Sequence, residues 1–133
     1  MSRGGKRSKY LFVYGSLRRG QRLHGQLRNS PATAFVGRAT IRAALYAISG
    51  ETYSGAVAAR GRNANVHGEL YRLGNTRATL KKLDRMEGTE EGLIRRALVE
   101  ANTRAGRKMA WVYLYARPLG GSVLIPSGVF RKD

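Results

Sequence analysis

The chain has 133 residues, and its 42% hydrophobic and 25% charged content is typical of one globular domain with a buried core, which excludes a disordered protein. It contains no cysteine, which excludes disulfide bonds, cysteine-based metal sites and thiolate catalysis. With 25 lysine and arginine residues against 8 acidic residues, the formal net charge is +17. Such a charge favours non-specific contact with nucleic acid, although its spread along the whole chain is also typical of a solvated surface.

The first segment is predicted to be a flexible basic arm over residues 1–9, followed by one domain over residues 10–133. No apolar run approaches the roughly 18 residues that span a bilayer. No long apolar segment follows the basic start, as it would in a signal peptide. We therefore expect a cytoplasmic protein without a membrane partner.

The first predicted element is a buried strand over residues 10–14, where apolar, aromatic and β-branched residues stop abruptly at a glycine. Gly15 allows the backbone to turn sharply or to approach a ligand closely, and Ser16 and Leu17 follow with free N–H groups. This loop is therefore a candidate binding loop. The alternative is an ordinary turn at the end of a core strand.

The later elements alternate between strands and turns, with one helix. In chain order we predict a helical turn over 23–27, a long or bent strand over 35–48 with a bulge at Gly37, a weak strand over 56–58, a strand over 66–73, a helix over 76–87 that ends at Gly88, a hairpin of strands over 94–103 and 108–116, and a final turn after 123–125. This order predicts a compact α+β domain built on a curled, barrel-like sheet.

The predicted helix carries an acid on its apolar face. Successive helical residues are about 100° apart, so Glu87 falls between Leu80 and Leu83 in angle. A carboxylate there must be paired, reach solvent through a cavity or have a raised pKa, and its place at the helix C-terminus raises the pKa further. A raised pKa suits a general acid or base at neutral pH. The alternatives are a frayed helix end or a salt bridge to an arginine.

Other chemistry is less well supported by the residues. Asp84, on the flank of the apolar stripe, is predicted to be structural and to bond a loop or an arginine. Ser16 would need His24 or His67 as a base, but the chain lacks the G-x-S-x-G elbow of serine hydrolases. Two histidines are too few for a convincing metal site. The tyrosines could stack on bases in a nucleic-acid site, but aromatic residues at strand spacing are more often core.

Four segments of the chain carry a combined signature. They are Tyr14-Gly15-Ser16-Leu17 after the first strand, Val66-His67-Gly68-Glu69-Leu70-Tyr71 in a later strand, Leu83-Asp84-Arg85-Met86-Glu87-Gly88 at the helix end, and Trp111-Val112-Tyr113-Leu114-Tyr115. In this order, over about residues 10–117, they resemble the gamma-glutamylcyclotransferase-like family. The resemblance is greatest to its small bacterial branch, in which many members have no established substrate.

The resemblance implies a fold and a set of site residues. The fold would be α+β: a small mixed β-barrel enclosing a cavity, with one main helix and short helical turns packed outside. Glu87 would be the catalytic acid and base, and no cofactor or metal would be needed. The substrate would contact Tyr14, Gly15, Ser16, Leu17, Tyr53 and Tyr113.

Two positions depart from the family's usual pattern. Leu93 stands where a tyrosine is common after the glutamate, and Ser54 stands where a proline commonly follows Tyr53. Both departures leave the fold intact and bear on the identity of the substrate.

The function that the resemblance implies is the cyclisation of a small γ-glutamyl amine or γ-glutamyl peptide. The substrate's own α-amine would attack its γ-carbonyl, so that 5-oxoproline and a free amine are released. The alternative is a non-catalytic binding module of the same fold for a small metabolite or RNA. Neither the leaving amine nor the oligomeric state follows from the sequence.

Overall fold

The computed structural model of the protein describes residues 8–15, 33–51, 53–59 and 63–129. The helical turn that the sequence predicts over 23–27 lies outside these residues, as does most of the predicted arm. The described residues form strands β1 (Tyr10–Val13), β2 (Ala34–Ala47), β3 (Ser54–Ala58), β4 (Asn65–Arg72), β5 (Ile94–Thr103), β6 (Gly106–Tyr115) and β7 (Val123–Leu124), with helix α1 (Thr76–Glu87) between β4 and β5.

Five of these strands close into a barrel. The order around it is β2-β4-β1-β6-β5, and β5 pairs again with β2. All of its pairs are antiparallel except β1 with β6, which run parallel and are in register at Leu11 and Trp111. Strands β3 and β7 pair with the far half of the long β2. The predicted α+β class and mixed barrel are thus confirmed.

The alternation of side chains along the strands creates two cores. On β1, Phe12 points into the barrel, whereas Leu11 and Val13 point outward. Helix α1 covers this outer side and packs Leu80 and Leu83 against it. The inner core includes Ile41, Leu45, Val66, Leu70, Val112 and Leu114. The helix therefore lies outside the barrel, against the outer faces of β1, β4 and β6.

The ends of α1 follow the sequence closely. Asn75 caps the N-terminus, where its side chain accepts a hydrogen bond from the amide of Ala78 at 3.4 Å. Gly88 ends the helix in the left-handed conformation, with φ +90°, which glycine adopts without strain. The predicted start, stop and bounds of the helix are confirmed. Because Leu80 and Leu83 are buried and Glu87 lies between them in angle, Glu87 lies on the same, inward-facing side of the helix.

The residues just before β1 are held by the barrel. The indole N–H of Trp111 donates to the Ser8 carbonyl at 2.8 Å, and the Ser8 hydroxyl donates to the carbonyl of Met109. The carbonyl of Lys9 accepts a hydrogen bond from the amide of Leu73. These bonds involve the last two residues of the predicted arm.

Within the described residues, no helix combines the length and the apolar character that crossing a bilayer requires.

Two predictions about glycines concern the strands. The bulge at Gly37 is confirmed, because the β2–β4 register shifts between Phe35 and Gly37. Strand β3 begins two residues earlier than predicted, at Ser54, because Ser54 and Gly55 already pair with Ala47 and Tyr46 of β2. A glycine weakens the pattern of a strand, which is why the sequence did not indicate the longer bounds.

We expect Gly68→Ala to destabilise the barrel. A Cβ atom at Gly68 would lie 2.2 Å from the carbonyl oxygen of Val13, so one of the two strands would have to move. The free energy of unfolding should fall by about 1–3 kcal/mol, as measured by urea denaturation. Gly121→Ala is the matched control, because a Cβ there meets only the Ser49 hydroxyl at 3.6 Å. Equal losses in both variants would contradict the close approach.

Candidate active site

Glu87 is the last residue of α1 and is half-buried. Burial raises the pKa of its carboxyl from 4.5 to about 7. Among the described residues, its carboxylate makes no hydrogen bond and no ion pair with an arginine, so the alternative of a structural salt bridge finds no support in this part of the chain. A carboxyl with this pKa can both accept and give up a proton near neutral pH.

Tyr14 follows β1 and points into the barrel core, stacked against Phe12. Its hydroxyl donates to the carbonyl of Tyr113 at 2.7 Å and accepts from the amide of Ala56 at 3.1 Å. Burial raises its pKa, and the nearby Glu87 carboxylate adds to this effect. The phenol is therefore neutral, and its hydroxyl ties the end of β1 to β6 and β3. Its predicted contact with substrate stays a prediction.

Tyr113 brings the helix and the barrel together from the outer side. Its hydroxyl donates to the carboxylate of Asp84 at 2.7 Å. Burial is the main cause of the raised pKa of the Tyr113 hydroxyl, and its hydrogen bond to Asp84 is the second cause. The charge of Glu87 raises this pKa by a smaller amount. The Glu87 carboxylate thus raises the pKa of both Tyr14 and Tyr113 by its charge.

Asp84 lies one helical turn before Glu87 and has a different role. Its carboxylate accepts hydrogen bonds from Nε of Arg96 at 2.8 Å and from Nη2 at 3.3 Å. The guanidinium of Arg96 lies 4.5 Å from the ring centroid of Trp111. The prediction that Asp84 bonds an arginine is confirmed.

The structure brings together only part of the predicted site. Gly15 follows Tyr14 directly, and a Cβ atom built on it meets nothing within 4 Å, so the described residues leave open space beside it. Ser16 and Leu17 lie outside the described residues. Tyr53 is half-buried, and burial raises the pKa of its hydroxyl. Smaller effects on this pKa come from Glu51, Tyr115 and Arg117, and Glu87 is not among them. The predicted contact of Tyr53 with substrate stays a prediction.

The structure places His67 away from this site. His67 is exposed and belongs to a separate cavity of about 460 Å³ between β2, the start of β4 and the segment around Pro126. None of the predicted site residues lines that cavity. His24 lies outside the described residues. Within the ranges that the structure describes, no group of three or more histidine, aspartate or glutamate side chains could hold a metal ion.

Two contributors to the site were not predicted from the sequence. Arg96 is directly opposite Tyr113 in the β5–β6 ladder, and Tyr113 is bonded to Asp84 of the helix. The register of the predicted hairpin would therefore have indicated that Arg96 lies near Asp84. The amide of Ala56 also approaches Tyr14 across the barrel. No local pattern marks it, because the contact joins residues that are 42 positions apart.

The mixed barrel of this chain is shared with known proteins. The chain belongs to the family described as gamma-glutamyl cyclotransferase, AIG2-like, whose family model matches residues 11–132. The resemblance that the four sequence segments carry is therefore confirmed.

Two relatives illustrate the range of this family. The chain is 40% identical over 119 residues to the gamma-glutamylcyclotransferase family protein YtfP of Escherichia coli K12, covering 89% of this chain and 92% of that protein. It is 32% identical over 112 residues to the gamma-L-glutamyl-butirosin B gamma-glutamyl cyclotransferase of Niallia circulans, covering 80% of this chain and 67% of that protein.

Two solved structures share the fold. The solution structure of ytfP from Escherichia coli superposes with a TM-score of 0.65 at 36% identity, covering 90% of this chain and 94% of that chain. The crystal structure of YkqA from Bacillus subtilis superposes with a TM-score of 0.71 at 25% identity, covering 91% of this chain and 39% of that chain. The chain thus spans about two fifths of YkqA.

We expect Tyr14→Phe to weaken the barrel. The change leaves the amide of Ala56 and the carbonyl of Tyr113 without their buried partner, and the free energy of unfolding should fall by about 1–3 kcal/mol. Tyr46→Phe is the control, since it removes a hydroxyl from a half-buried side chain on β2. The prediction fails if chemical denaturation shows the two variants to be equally stable.

Glu87→Gln should alter how stability depends on pH. Because folding raises the pKa of Glu87, its contribution to stability is full below about pH 4.5 and is lost as the pH rises through about 7. The glutamine variant has no such loss, so it should gain about 1–3 kcal/mol relative to the wild type between pH 4 and pH 8. Glu90→Gln, at an exposed position, should show no such gain in parallel urea titrations.

Proposed function

We propose that the protein is a γ-glutamyl cyclotransferase that converts a γ-glutamyl amine or γ-glutamyl peptide into 5-oxoproline and the free amine. The observation that carries this proposal is Glu87, a half-buried carboxyl with a pKa of about 7 beside the tyrosine–glycine loop. Membership of the gamma-glutamyl cyclotransferase, AIG2-like family supports it. The relative from Niallia circulans, which is named for gamma-glutamyl cyclotransferase action on gamma-L-glutamyl-butirosin B, supports it further.

The reaction needs one residue that moves protons. The α-amine of the substrate attacks the γ-carbonyl carbon and forms the ring C–N bond, and the original amide C–N bond then breaks. Glu87 takes a proton from the α-ammonium group and returns it to the leaving amine, so that no water is consumed and no covalent enzyme intermediate forms. A carboxyl whose pKa lies near the working pH is suited to both halves of this transfer.

Binding in a folded conformation supplies the rest of the rate. The α-amine and the γ-carbonyl belong to the same molecule, so holding the two ends together removes most of the entropic barrier. The open space beside Gly15 is where the substrate would enter, and the backbone N–H groups of Gly15, Ser16 and Leu17 would bind its carboxylate or the developing oxyanion. In this proposal Tyr14 shapes the loop, and Tyr53 and Tyr113 contact the substrate through their rings.

The test is a panel of γ-glutamyl amines and γ-glutamyl dipeptides with 5-oxoproline measured by mass spectrometry. We expect at least one member to be converted, and Glu87→Gln to lower the rate by about 100-fold or more. Glu90→Gln removes an exposed carboxylate three residues away and should retain full activity. If no member yields more product than Glu87→Gln does, the enzymatic proposal is wrong.

The same experiment has a second readout. Glu87 accepts a proton only when it is ionised, so kcat/KM should rise with pH through a midpoint of about 7. A midpoint near the ordinary glutamate value of 4.5 would mean that another group acts as the base.

The second candidate is a non-catalytic binding module for RNA. The outer face of α1 supports it, because Arg77, Lys81, Lys82 and Arg85 are all exposed there. A buried carboxylate contributes nothing to binding a polyanion, which favours the enzyme. Absence of turnover together with RNA binding that weakens steeply with salt concentration would favour the binding module.

A further inference from the structure

The last turn of α1 is held through a single residue. The carbonyl of Asp84 accepts hydrogen bonds from the amide of Gly88, from the amide of Thr89 at 3.2 Å and from the hydroxyl of Thr89 at 3.1 Å. These bonds close the helix immediately after Glu87. The backbone of Asp84 therefore fixes where the helix stops and in which direction the chain leaves.

The side chain of the same residue ties this turn to the barrel. The carboxylate of Asp84 receives the hydroxyl of Tyr113 from β6 and the guanidinium of Arg96 from β5, at 2.7 Å and 2.8 Å. Tyr113 and Arg96 are directly opposite each other in the β5–β6 ladder. Three donors on two adjacent strands thus set both the height and the rotation of the final helical turn.

The two partners of Asp84 are themselves fixed. The carbonyl of Tyr113 accepts the hydroxyl of Tyr14, which is the residue that opens the candidate binding loop. Arg96 stacks on Trp111, whose indole N–H is bonded to the chain before β1. Asp84 is therefore connected through one residue to the loop on which the proposed substrate site depends.

We propose that Asp84 is a positioning residue for Glu87: its bonds to Tyr113 and Arg96 hold the last turn of α1 so that the Glu87 carboxylate stays half-buried at the helix end. This inference rests on the proposed function for its catalytic consequence. Without these bonds the final turn loses its polar ties to the barrel and is supported, among the described contacts, by the packing of Leu83 and the capping by Gly88 and Thr89, so its end can unwind. Glu87 would then reach water and lose the burial that raises its pKa.

The charged and titratable groups around Glu87 are few in the described part of the chain. The Glu87 carboxylate raises the pKa of Tyr14, which follows β1, and of Tyr113 on β6, and the Asp84–Arg96 pair lies one helical turn away. Burial alone accounts for the raised pKa of Glu87. A change that exposes the carboxylate should therefore lower its pKa, whereas a change that only weakens the fold should not.

The test compares Asp84→Asn with two variants that preserve the charge of the pair. Arg96→Lys keeps the cation but loses the planar fork, and Tyr113→Phe keeps the ring but loses the hydroxyl. The first readout is independent of catalysis: the carboxyl of Glu87 is titrated by NMR in ¹³C-glutamate-labelled protein and assigned by comparison with Glu87→Gln. The wild type should titrate at about 7, and all three variants should titrate nearer 4.5.

The second readout is kinetic and uses the substrate that the panel identifies. The variants should lose up to about 100-fold in kcat with KM unaltered, because a displaced acid–base group slows the chemistry without weakening binding. The double variant Asp84→Asn/Tyr113→Phe should be slower than Asp84→Asn by less than the effect of Tyr113→Phe alone, since both changes weaken the same contact. Glu90→Gln is the control that removes an acid without touching this network.

The outcomes separate the two proposals. If no γ-glutamyl substrate is converted, the proposed function fails, while the NMR titration still decides whether Asp84 positions Glu87. If Asp84→Asn does not fold, as judged by near-UV circular dichroism, Arg96→Lys and Tyr113→Phe decide the question. A Glu87 midpoint that stays at about 7 in the folded variants overturns the positioning role.

Discussion

The structure depends on one phenol at the C-terminal end of β1. Strands β1 and β6 run parallel and are in register at Leu11 and Trp111. Just beyond β1, the hydroxyl of Tyr14 bonds the carbonyl of Tyr113 and the amide of Ala56. Buried backbone groups need partners, so leaving these two unpaired would be costly. The hydroxyl thus joins the end of β1 to β6 and β3, and the candidate loop begins at the next residue, Gly15.

The helix-end carboxylate of Glu87 lies in a half-buried position between core and surface. Leu80 and Leu83 bury the apolar face of α1, and the same face presents Glu87 one turn further on. Removal of this carboxylate from water without a cationic partner among the described residues opposes folding above neutral pH. Local destabilisation of this kind is typical of functional sites, where a residue is held in an unfavourable environment by well-packed neighbours.

Much of this arrangement could be predicted because it is local. The period of the helix placed Glu87 between Leu80 and Leu83, and Asn75 and Gly88 marked the helix ends, as the structure confirms. The barrel's closure through β2 and β5 and the path of Tyr14 to Ala56 join residues far apart in sequence, and no periodicity encodes them. The early start of β3 was missed for a related reason: Gly55 is present for its close approach to Tyr115, a contact that only the fold creates.

The division of labour between the two acids of the last helical turn follows from the composition. In a chain with 25 basic and 8 acidic residues, any inward carboxylate is expected to attract an arginine, and a salt bridge would lower its pKa. Among the described residues, Arg96 is the arginine that is bonded to a carboxylate of α1, and both of its described bonds go to Asp84. Its guanidinium is also held against Trp111, so it is not free to turn towards Glu87. Asp84 thus pairs with the guanidinium of Arg96. Because that cation is not bonded to Glu87, burial still raises the pKa of the Glu87 carboxyl.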